Sequence, residues 1–229
     1  MIIFAYNFEH NKTNDIILEC VKNNIRIEFI VAQNKKKLNI NKLPFSYSKS
    51  EPTKIHPRDL ANKLNISYVV QDHNSTDTLK LLDKVKPELG IVAGARIISG
   101  KVVDKFSIGI INFHPGNLPE IRGLYSIPRA IKKGTKIKVT SHLIDSNIDA
   151  GKLIEKKEVN VLKNDTIFDI SKRSYLTEIS LVISSVKKAL DKDFTEMDIS
   201  SSNYDYQIPF TSLEEFEQYF KIYMEKFGS

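Results

Sequence analysis

Asn112 and His114 lie two residues apart at the end of an apolar run, which brings an amide donor close to a titratable imidazole. The run covers residues 108–111 and Pro115 follows it, so the pattern predicts a short buried strand. Alternate side chains of a strand point to the same face, and here that face would open on the crevice beyond the strand's carboxyl end. Asp149, further along the chain, adds a carboxylate. Together these groups can stabilise an oxyanion and move a proton.

The elements that must position these residues alternate along the chain. Strands are predicted at residues 2–6, 26–32, 66–70, 89–95, 108–113, 137–144 and 152–161. Helices are predicted at residues 13–24, 57–64, 76–85, 127–133 and 165–186, with a last one after Ser212. We therefore expect an α/β fold, with a Rossmann-like, mostly parallel sheet and helices on both of its faces. Residues 1–195 would form this domain, and residues 196–229 a short C-terminal extension with an aromatic segment and a helix.

The composition is typical of a soluble globular protein, with 41% hydrophobic and 27% charged residues. No apolar stretch approaches the roughly 20 residues that a membrane span requires. The apolar N-terminus, residues 1–6, predicts a first strand rather than a signal peptide. Cys20 is the single cysteine, so no disulfide can form within the chain. These features predict a cytoplasmic protein that does not insert into membranes.

The net charge is +6, carried mainly by lysines that are spread along the chain. Most of them are expected on solvated faces, although a mildly positive field would also attract anionic substrates. The sequence has no arginine stripe with interleaved aromatic residues, so a nucleic-acid partner is not expected. The histidines, at positions 10, 56, 73, 114 and 142, do not have the spacing of metal ligands, and no metal is expected.

Two blocks of the sequence resemble the signatures of the folate-dependent formyltransferases. The first is Asn112-Phe113-His114-Pro115-Gly116-Asn117-Leu118-Pro119, followed by Arg122-Gly123. The second is Thr140-Ser141-His142-Leu143-Ile144-Asp145, which leads to Ile148-Asp149-Ala150-Gly151. The resemblance covers residues 88 to about 161. It implies the transfer of a formyl group from 10-formyltetrahydrofolate to an amine.

The resemblance also implies catalytic roles for the three residues named first. Asn112 and His114 would donate hydrogen bonds to the oxyanion that forms on the formyl group, and one such donor commonly lowers the barrier by on the order of 3 kcal/mol. Asp149 would favour the protonated form of His114 and accept the proton lost by the attacking amine. His142, seven residues before Asp149, is expected either to orient Asp149 or to be a satisfied core histidine.

The folate cofactor, by the same resemblance, would bind beside residues 94–103. The backbone at Arg96 and Ile98 and the side chain of Val103 would line an apolar slot for the pterin ring. The loop that contains Ile144, Asp145 and Ile148 would close the other side of this slot through backbone groups. The alternative interpretation is that residues 96–103 are a plain connection between a strand and a helix.

Three branches of the family differ in the amine that receives the formyl group. Glycinamide ribonucleotide formyltransferases have a glycine-rich phosphate loop after the first strand, whereas residues 6–11 of this chain contain no glycine. Methionyl-tRNA formyltransferases add a C-terminal barrel, and the roughly 34 residues after residue 195 are too few for one. Residues 94–97 and 204–211 look most like the third branch, the sugar N-formyltransferases. This resemblance implies that the chain acts on a nucleotide-linked amino sugar, with dTDP as the expected nucleotide, for surface polysaccharides.

Five residues are expected to contact this acceptor: Arg122, Gly123, Arg129, Tyr204 and Tyr206. The two guanidinium groups match the oxygens of a diphosphate, and the tyrosines could stack on a base or form a homodimer contact. The alternative is that the arginines are ordinary surface charges and that residues 204–211 only attach the last helix to the core.

Two functions of another kind remain open at this point. The chain could be a folate-binding relative without catalytic activity, although the presence of Asn112, His114 and Asp149 together argues against this. It could also hydrolyse the formyl-folate, with water in place of the amine. The polar connection at residues 33–54 is long for a compact domain, and its role is not predicted.

Overall fold

The first strand of the chain lies inside an eight-stranded sheet, with neighbours on both sides. The computed structural model describes residues 1–37, 41–48, 54–147, 149–200, 204–205 and 207–229. Its strands are β1 (Ile2–Tyr6), β2 (Phe29–Gln33), β3 (Ser67–Val70), β4 (Leu89–Val92), β5 (Gly109–His114), β6 (Arg122–Gly123), β7 (Lys138–Leu143), β8 (Lys152–Glu158), β9 (Thr195–Glu196) and β10 (Tyr204–Asp205). Its helices are α1 (Asn11–Lys22), α2 (Pro57–Lys63), α3 (Thr76–Val85), α4 (Gly100–Val103), α5 (Ser126–Lys133), α6 (Ile167–Leu190) and α7 (Leu213–Phe227).

The strand order in the main sheet is β3-β2-β1-β4-β5-β7-β8-β9, and the smaller sheet pairs β10 with β6. The first five strands of the large sheet run parallel, and β7, β8 and β9 are antiparallel to their neighbours. Since β1 lies between β2 and β4, the strand order reverses beside it, and α/β sheets usually bind ligands at the carboxyl ends of the strands at such a point. The expected mostly parallel α/β sheet is confirmed.

Both faces of the sheet are covered, because successive side chains of a strand point to opposite faces. Along β1, Ile2 and Phe4 contribute to one apolar cluster, and Ile3 and Ala5 contribute to the other. The helices α1 and α6 pack on the face that buries Ile3, and α3 and α4 pack on the face that buries Phe4. The predicted helices on both faces are therefore present.

Side-chain caps begin several helices at the positions that the sequence indicates. The Ser75 hydroxyl accepts a hydrogen bond from the Thr78 backbone N–H, and α3 begins at the next residue, as predicted. Thr166 and Asp169 form a reciprocal capping box at the start of α6. Ser212 caps α7 by accepting from the Glu215 backbone N–H. Such caps satisfy backbone donors that a helix start leaves without intrahelical partners.

The C-terminal residues pack against the rest of the chain. The strand β9 pairs with β8, and β10 pairs with β6. Phe210, Phe216 and Tyr223 are buried in the same cluster as residues of β1 and α1. A domain boundary near residue 195 stays a prediction.

Part of the long polar connection lies outside the described residues, namely 38–40 and 49–53. Of the described residues in this connection, Leu43, Phe45 and Tyr47 pack against the core. Within the described ranges, no helix combines the length and the apolar character that crossing a bilayer requires.

Candidate active site

His114 and Asp149 meet at the carboxyl end of β5. The Nδ1 atom of His114 lies 3.4 Å from Oδ1 of Asp149, and the two side chains are 6% and 14% exposed. His114 is the last residue of β5, whereas Asp149 lies in the connection between β7 and β8 with a positive φ of 50°. The contact is longer than a usual charge-assisted hydrogen bond, so the Nδ1 edge of the ring is not committed to the carboxylate. The imidazole and the carboxylate therefore face each other without a tight hydrogen bond between them.

The other ring nitrogen of His114 is fixed by the chain itself. Nε2 lies 2.9 Å from the Ile121 carbonyl oxygen and 3.2 Å from the Ser126 hydroxyl. A carbonyl oxygen only accepts, so Nε2–H donates to it. Gly116 permits this arrangement, because a Cβ at that position would lie 2.6 Å from Nε2 of His114. The glycine of the first signature block thus leaves room for the imidazole.

The Asp149 carboxylate is held from the opposite side by β6. The Gly123 backbone N–H donates to Oδ2 of Asp149 at 2.8 Å, and Nε of Arg122 donates to the Asp149 carbonyl oxygen at 3.1 Å. In the structure, Arg122 and Gly123 therefore fix the position of the catalytic candidate. Their expected contact with the acceptor stays a prediction.

Asn112 is oriented by His142, which lies opposite it on β7. Nδ2 of Asn112 is 3.2 Å from Nε2 of His142, and Nδ1 of His142 is 2.8 Å from the Ala150 carbonyl oxygen. The carbonyl requires a proton on Nδ1, so Nε2 accepts from the amide of Asn112. The amide keeps a second N–H that a ligand can use. His142 was expected either to orient Asp149 or to be a satisfied core histidine, and its hydrogen bonds go to the Ala150 carbonyl oxygen and to Asn112.

Burial keeps His142 neutral. Its side chain is fully buried, and this desolvation, reinforced by the charge of nearby His114, lowers the pKa of His142 to about 4, although the hydrogen bond to Ala150 opposes the shift. A neutral ring retains the lone pair on Nε2 that Asn112 requires. The amide orientation is therefore stable at neutral pH.

A buried ion pair behind β5 was missed by the sequence analysis. Nζ of Lys12 donates to the Phe113 carbonyl oxygen at 3.1 Å and to the Glu178 carboxylate at 2.5 Å. The two charged side chains are 21% and 8% exposed. The pairing of β4 with β5 ends at Ile111. Beyond that point, Lys12 binds the carbonyl oxygen of Phe113, which lies between Asn112 and His114 in the chain. The signal in the sequence was Glu178, an acidic residue on the apolar face of the predicted helix that became α6, where a buried charge requires a partner.

Three of the residues predicted to bind folate line one cavity. Val103, Ile144 and Asp145 border a space of about 390 Å³ beside β5 and β7. Ile98 is buried in the same apolar cluster that Val103 and Ile144 pack against. Arg96 lies near Tyr6, where its positive charge opposes the raised pKa that burial gives the tyrosine. Ile148 lies outside the described residues.

Arg129 is engaged by the chain itself. Its guanidinium donates to the Leu124 carbonyl oxygen at 2.7 Å, to both the carboxylate and the carbonyl oxygen of Asp205, and to the Gln207 carbonyl oxygen. The side chain is 6% exposed. The structure thus shows Arg129 fastening the C-terminal segment to α5, and a diphosphate contact stays a prediction without structural support.

Tyr204 lies beside Gly123, the residue whose backbone N–H donates to the Asp149 carboxylate. It is half-buried in β10, where it pairs with Arg122, and a Cβ on Gly123 would lie 3.3 Å from its ring. Tyr206, also expected to contact the acceptor, lies outside the described residues. Within the ranges that the structure describes, no cluster of three or more histidine, cysteine or acidic side chains has the arrangement of a metal site.

Most of the chain matches one known protein family. Residues 2–186 match the family model described as formyl transferase. A methionyl-tRNA formyltransferase from Thermotoga sp. (strain RQ2) is 27% identical over 195 residues, which cover 83% of this chain and 60% of that protein. The human trifunctional purine biosynthetic protein adenosine-3 is 31% identical over 130 residues, which cover 52% of this chain and 13% of that protein. The chain thus spans 60% or less of the length of these curated relatives.

Solved structures of several formyltransferases share the fold. The N-formyltransferase from Helicobacter canadensis, solved in complex with folinic acid and dTDP-3-aminofucose, superposes with a TM-score of 0.64 at 17% identity, covering 97% of this chain and 79% of that chain. A phosphoribosylglycinamide formyltransferase from Anaplasma phagocytophilum has a TM-score of 0.63 at 22% identity, covering 83% of this chain and 87% of that chain.

Proposed function

We propose that this chain, which belongs to the formyl transferase family, transfers a formyl group from 10-formyltetrahydrofolate to the amino group of a nucleotide-linked amino sugar. The observation that carries this proposal is the convergence of Asn112, His114 and Asp149 at the carboxyl end of β5. An amide donor, an imidazole and a carboxylate there supply what attack of an amine on a formyl carbon requires.

The first step forms a carbon–nitrogen bond and pushes negative charge onto the formyl oxygen. Asn112 has one N–H committed to His142 and a second one free to meet this oxygen. The orientation is set before the reaction, because His142 is itself fixed by the Ala150 carbonyl. A preorganised donor of this kind commonly lowers the barrier by about 3 kcal/mol.

The second step moves protons. The attacking amine becomes acidic as it binds carbon, and the Asp149 carboxylate, held by the Gly123 N–H, can accept its proton directly or through water. The bond between the formyl carbon and the folate nitrogen then breaks, and that nitrogen receives a proton as tetrahydrofolate leaves. The Nδ1 edge of His114 faces Asp149 and can carry positive charge while the oxyanion exists.

The cavity beside Val103, Ile144 and Asp145 is our proposed folate site. Its walls include the apolar side chains of Phe106 and Leu143, which suit the flat pterin ring. The co-substrate is 10-formyltetrahydrofolate, and we propose no metal, since the polar and charged groups described above account for both steps.

The connection after β1 supports a sugar acceptor over glycinamide ribonucleotide. The Tyr6 and Phe8 rings stack there with centroids 4.9 Å apart, and the His10 ring lies edge-on to Tyr6. Aromatic side chains fill this connection, whereas close approach of a phosphate to backbone N–H groups is easiest at glycine. The likeness to the Helicobacter protein solved with dTDP-3-aminofucose adds support for a dTDP-linked amino sugar.

A second candidate acceptor is methionyl-tRNA, favoured by the curated relatives with that activity. The proposals are separated by incubating the chain and 10-formyltetrahydrofolate with dTDP-, UDP- and GDP-linked amino sugars, glycinamide ribonucleotide, methionyl-tRNA or no acceptor. Mass spectrometry would detect an N-formyl sugar if the proposal is correct. Formylation of methionyl-tRNA alone, or formate release without any acceptor, would replace it with the corresponding alternative. We further propose a cytoplasmic location, and the homodimer stays a prediction.

A further inference from the structure

A groove of about 420 Å³ lies between residues 42–48 and Tyr125. Residues 41–48 form neither helix nor strand and bend at Pro44 and Phe45, and their exposure alternates, so that Leu43, Phe45 and Tyr47 are half-buried while the residues between them are exposed. Phe45 anchors this segment, because its ring lies 4.3 Å from the ring of Phe216 in α7. The side of the groove formed by residues 42–48 is therefore packed against α7 through Phe45.

The groove borders the candidate active site through Tyr125. This residue immediately precedes α5 and lies two residues after Gly123, whose N–H holds the Asp149 carboxylate. The Tyr125 hydroxyl donates to the Asn41 carbonyl oxygen at 2.5 Å, so the tyrosine ties residues 41–48 to the β6–α5 connection.

A second link runs through Tyr47. Its ring lies 6.3 Å from the ring of Tyr125. Burial, then Tyr125 and then the negative charge of Glu178 raise the pKa of Tyr47 to about 12, which places the tyrosine near the Glu178 carboxylate. Glu178 in turn pairs with Lys12, which binds the Phe113 carbonyl beside His114.

The lining has the chemistry of a site for a flat, anionic molecule. Aromatic rings from Phe45, Tyr47 and Tyr125 form its apolar walls. The Ser48 hydroxyl can bond to the edge of a heterocycle, whereas the Ser46 hydroxyl donates to the Ser48 carbonyl oxygen, and the Lys42 ammonium can meet a phosphate. Base stacking on aromatic side chains tolerates different bases, because every base presents a π-face.

We infer that this groove binds the nucleoside diphosphate portion of the acceptor, with the base against Tyr47 and Tyr125 and the phosphates near Lys42. This inference rests on the proposed function, since it places the non-reacting end of a nucleotide-linked amino sugar. A volume of about 420 Å³ suits a small-molecule site, and Lys42 matches the charge of a diphosphate. In this arrangement Lys42 meets the diphosphate, so Arg129 can keep its hydrogen bonds to Leu124, Asp205 and Gln207.

Calorimetric titration of the full chain with dTDP, UDP and GDP tests the inference. We expect at least one of the three to bind, with an affinity about tenfold weaker in Lys42→Gln and in Tyr47→Leu. Lys84→Gln on α3 removes an exposed lysine far along the sequence and is the matched charge control.

The results separate this inference from the proposed function. If an amino sugar is formylated while the nucleotide affinity and the KM for that sugar are unchanged in Lys42→Gln and Tyr47→Leu, the inference is wrong and the proposed function stands. If a nucleotide binds in the groove but no nucleotide-linked amino sugar is formylated, the proposed function fails alone. Absence of nucleotide binding by the wild type overturns the inference. A rise in the folate KM in both variants, with nucleotide binding unchanged, would assign the groove to the folate tail instead.

Discussion

Nε2 of His142 accepts a hydrogen bond from Nδ2 of Asn112 across 3.2 Å, and this contact decides which way the side-chain amide of Asn112 points. The relationship depends on a neutral, fully buried imidazole whose other nitrogen donates to the Ala150 carbonyl. A residue outside the three reacting groups therefore sets the direction of the oxyanion donor.

Asn112→Ala should lower kcat for formyl transfer by about a hundredfold or more, because it removes a donor aimed at the developing oxyanion. The variant should still fold, since Asn112 is only partly buried. Steady-state kinetics and circular dichroism check both statements, with the exposed Asn62→Ala on α2 as the control. A kcat within a few-fold of the wild-type value would remove Asn112 from the mechanism.

The buried state of His142 predicts a dependence of stability on pH. Its pKa is about 4 in the folded chain against an ordinary 6.5, so between these values only the unfolded chain binds the proton. The free energy of unfolding should therefore fall as the pH decreases through this window, by about 3 kcal/mol in full. Above pH 6.5 this contribution is fully present.

Urea denaturation at pH 7 and pH 4 measures this loss in the wild type and in His142→Gln, which cannot titrate. His10 and His73 also have lowered pKa values and contribute losses of the same sign in both proteins. The difference between the two proteins isolates His142. An identical loss in both would contradict a buried neutral imidazole at this position.

Gly116→Ala should displace His114, because the added Cβ would lie 2.6 Å from Nε2 of the ring and 2.9 Å from the Ile121 carbonyl oxygen. We expect kcat to fall by about tenfold or more, since small displacements of a catalytic group are costly. Gly100→Ala is the matched control, because its nearest neighbour would be the Ser146 Cβ at 3.7 Å. Equal activity of the two alanine variants would count against the close-packing explanation.

Glu178→Gln should destabilise the chain by about 2 kcal/mol, because it leaves the Lys12 ammonium partly buried without its counter-charge. It should also lower kcat, since Lys12 fixes the Phe113 carbonyl between the two catalytic residues. Urea denaturation and kinetics of Lys12→Met, Glu178→Gln and the double variant form a double-mutant cycle. Strict additivity of the two substitutions would show that the pair is not coupled.

The sequence was sufficient to predict the strands and helices with strong local signals. The apolar, β-branched run before Asn112 and the cap at Ser75 each specify an element without help from distant residues. Because alternate residues of β5 share a face, the sequence also predicted that Asn112 and His114 point to the same side of the sheet.

The partners of the site residues could not be read from local patterns. The strands β6 and β10 contain two residues each and pair across about 80 positions of sequence, so neither has a periodicity of its own. The partner of His142 is set by the antiparallel register of β5 with β7, which places Asn112 opposite it. A contact of Arg129 with the acceptor stays a prediction, and its tertiary contacts with residues 205 and 207 could not be read from the local sequence.

The catalytic role of the group that contains His114 is tested most directly by the kcat of His114→Ala for formyl transfer to a dTDP-linked amino sugar. The account predicts a loss of about a hundredfold or more in a protein that remains folded, because the imidazole faces Asp149 at the carboxyl end of β5. A folded His114→Ala protein with unchanged kcat would contradict the account.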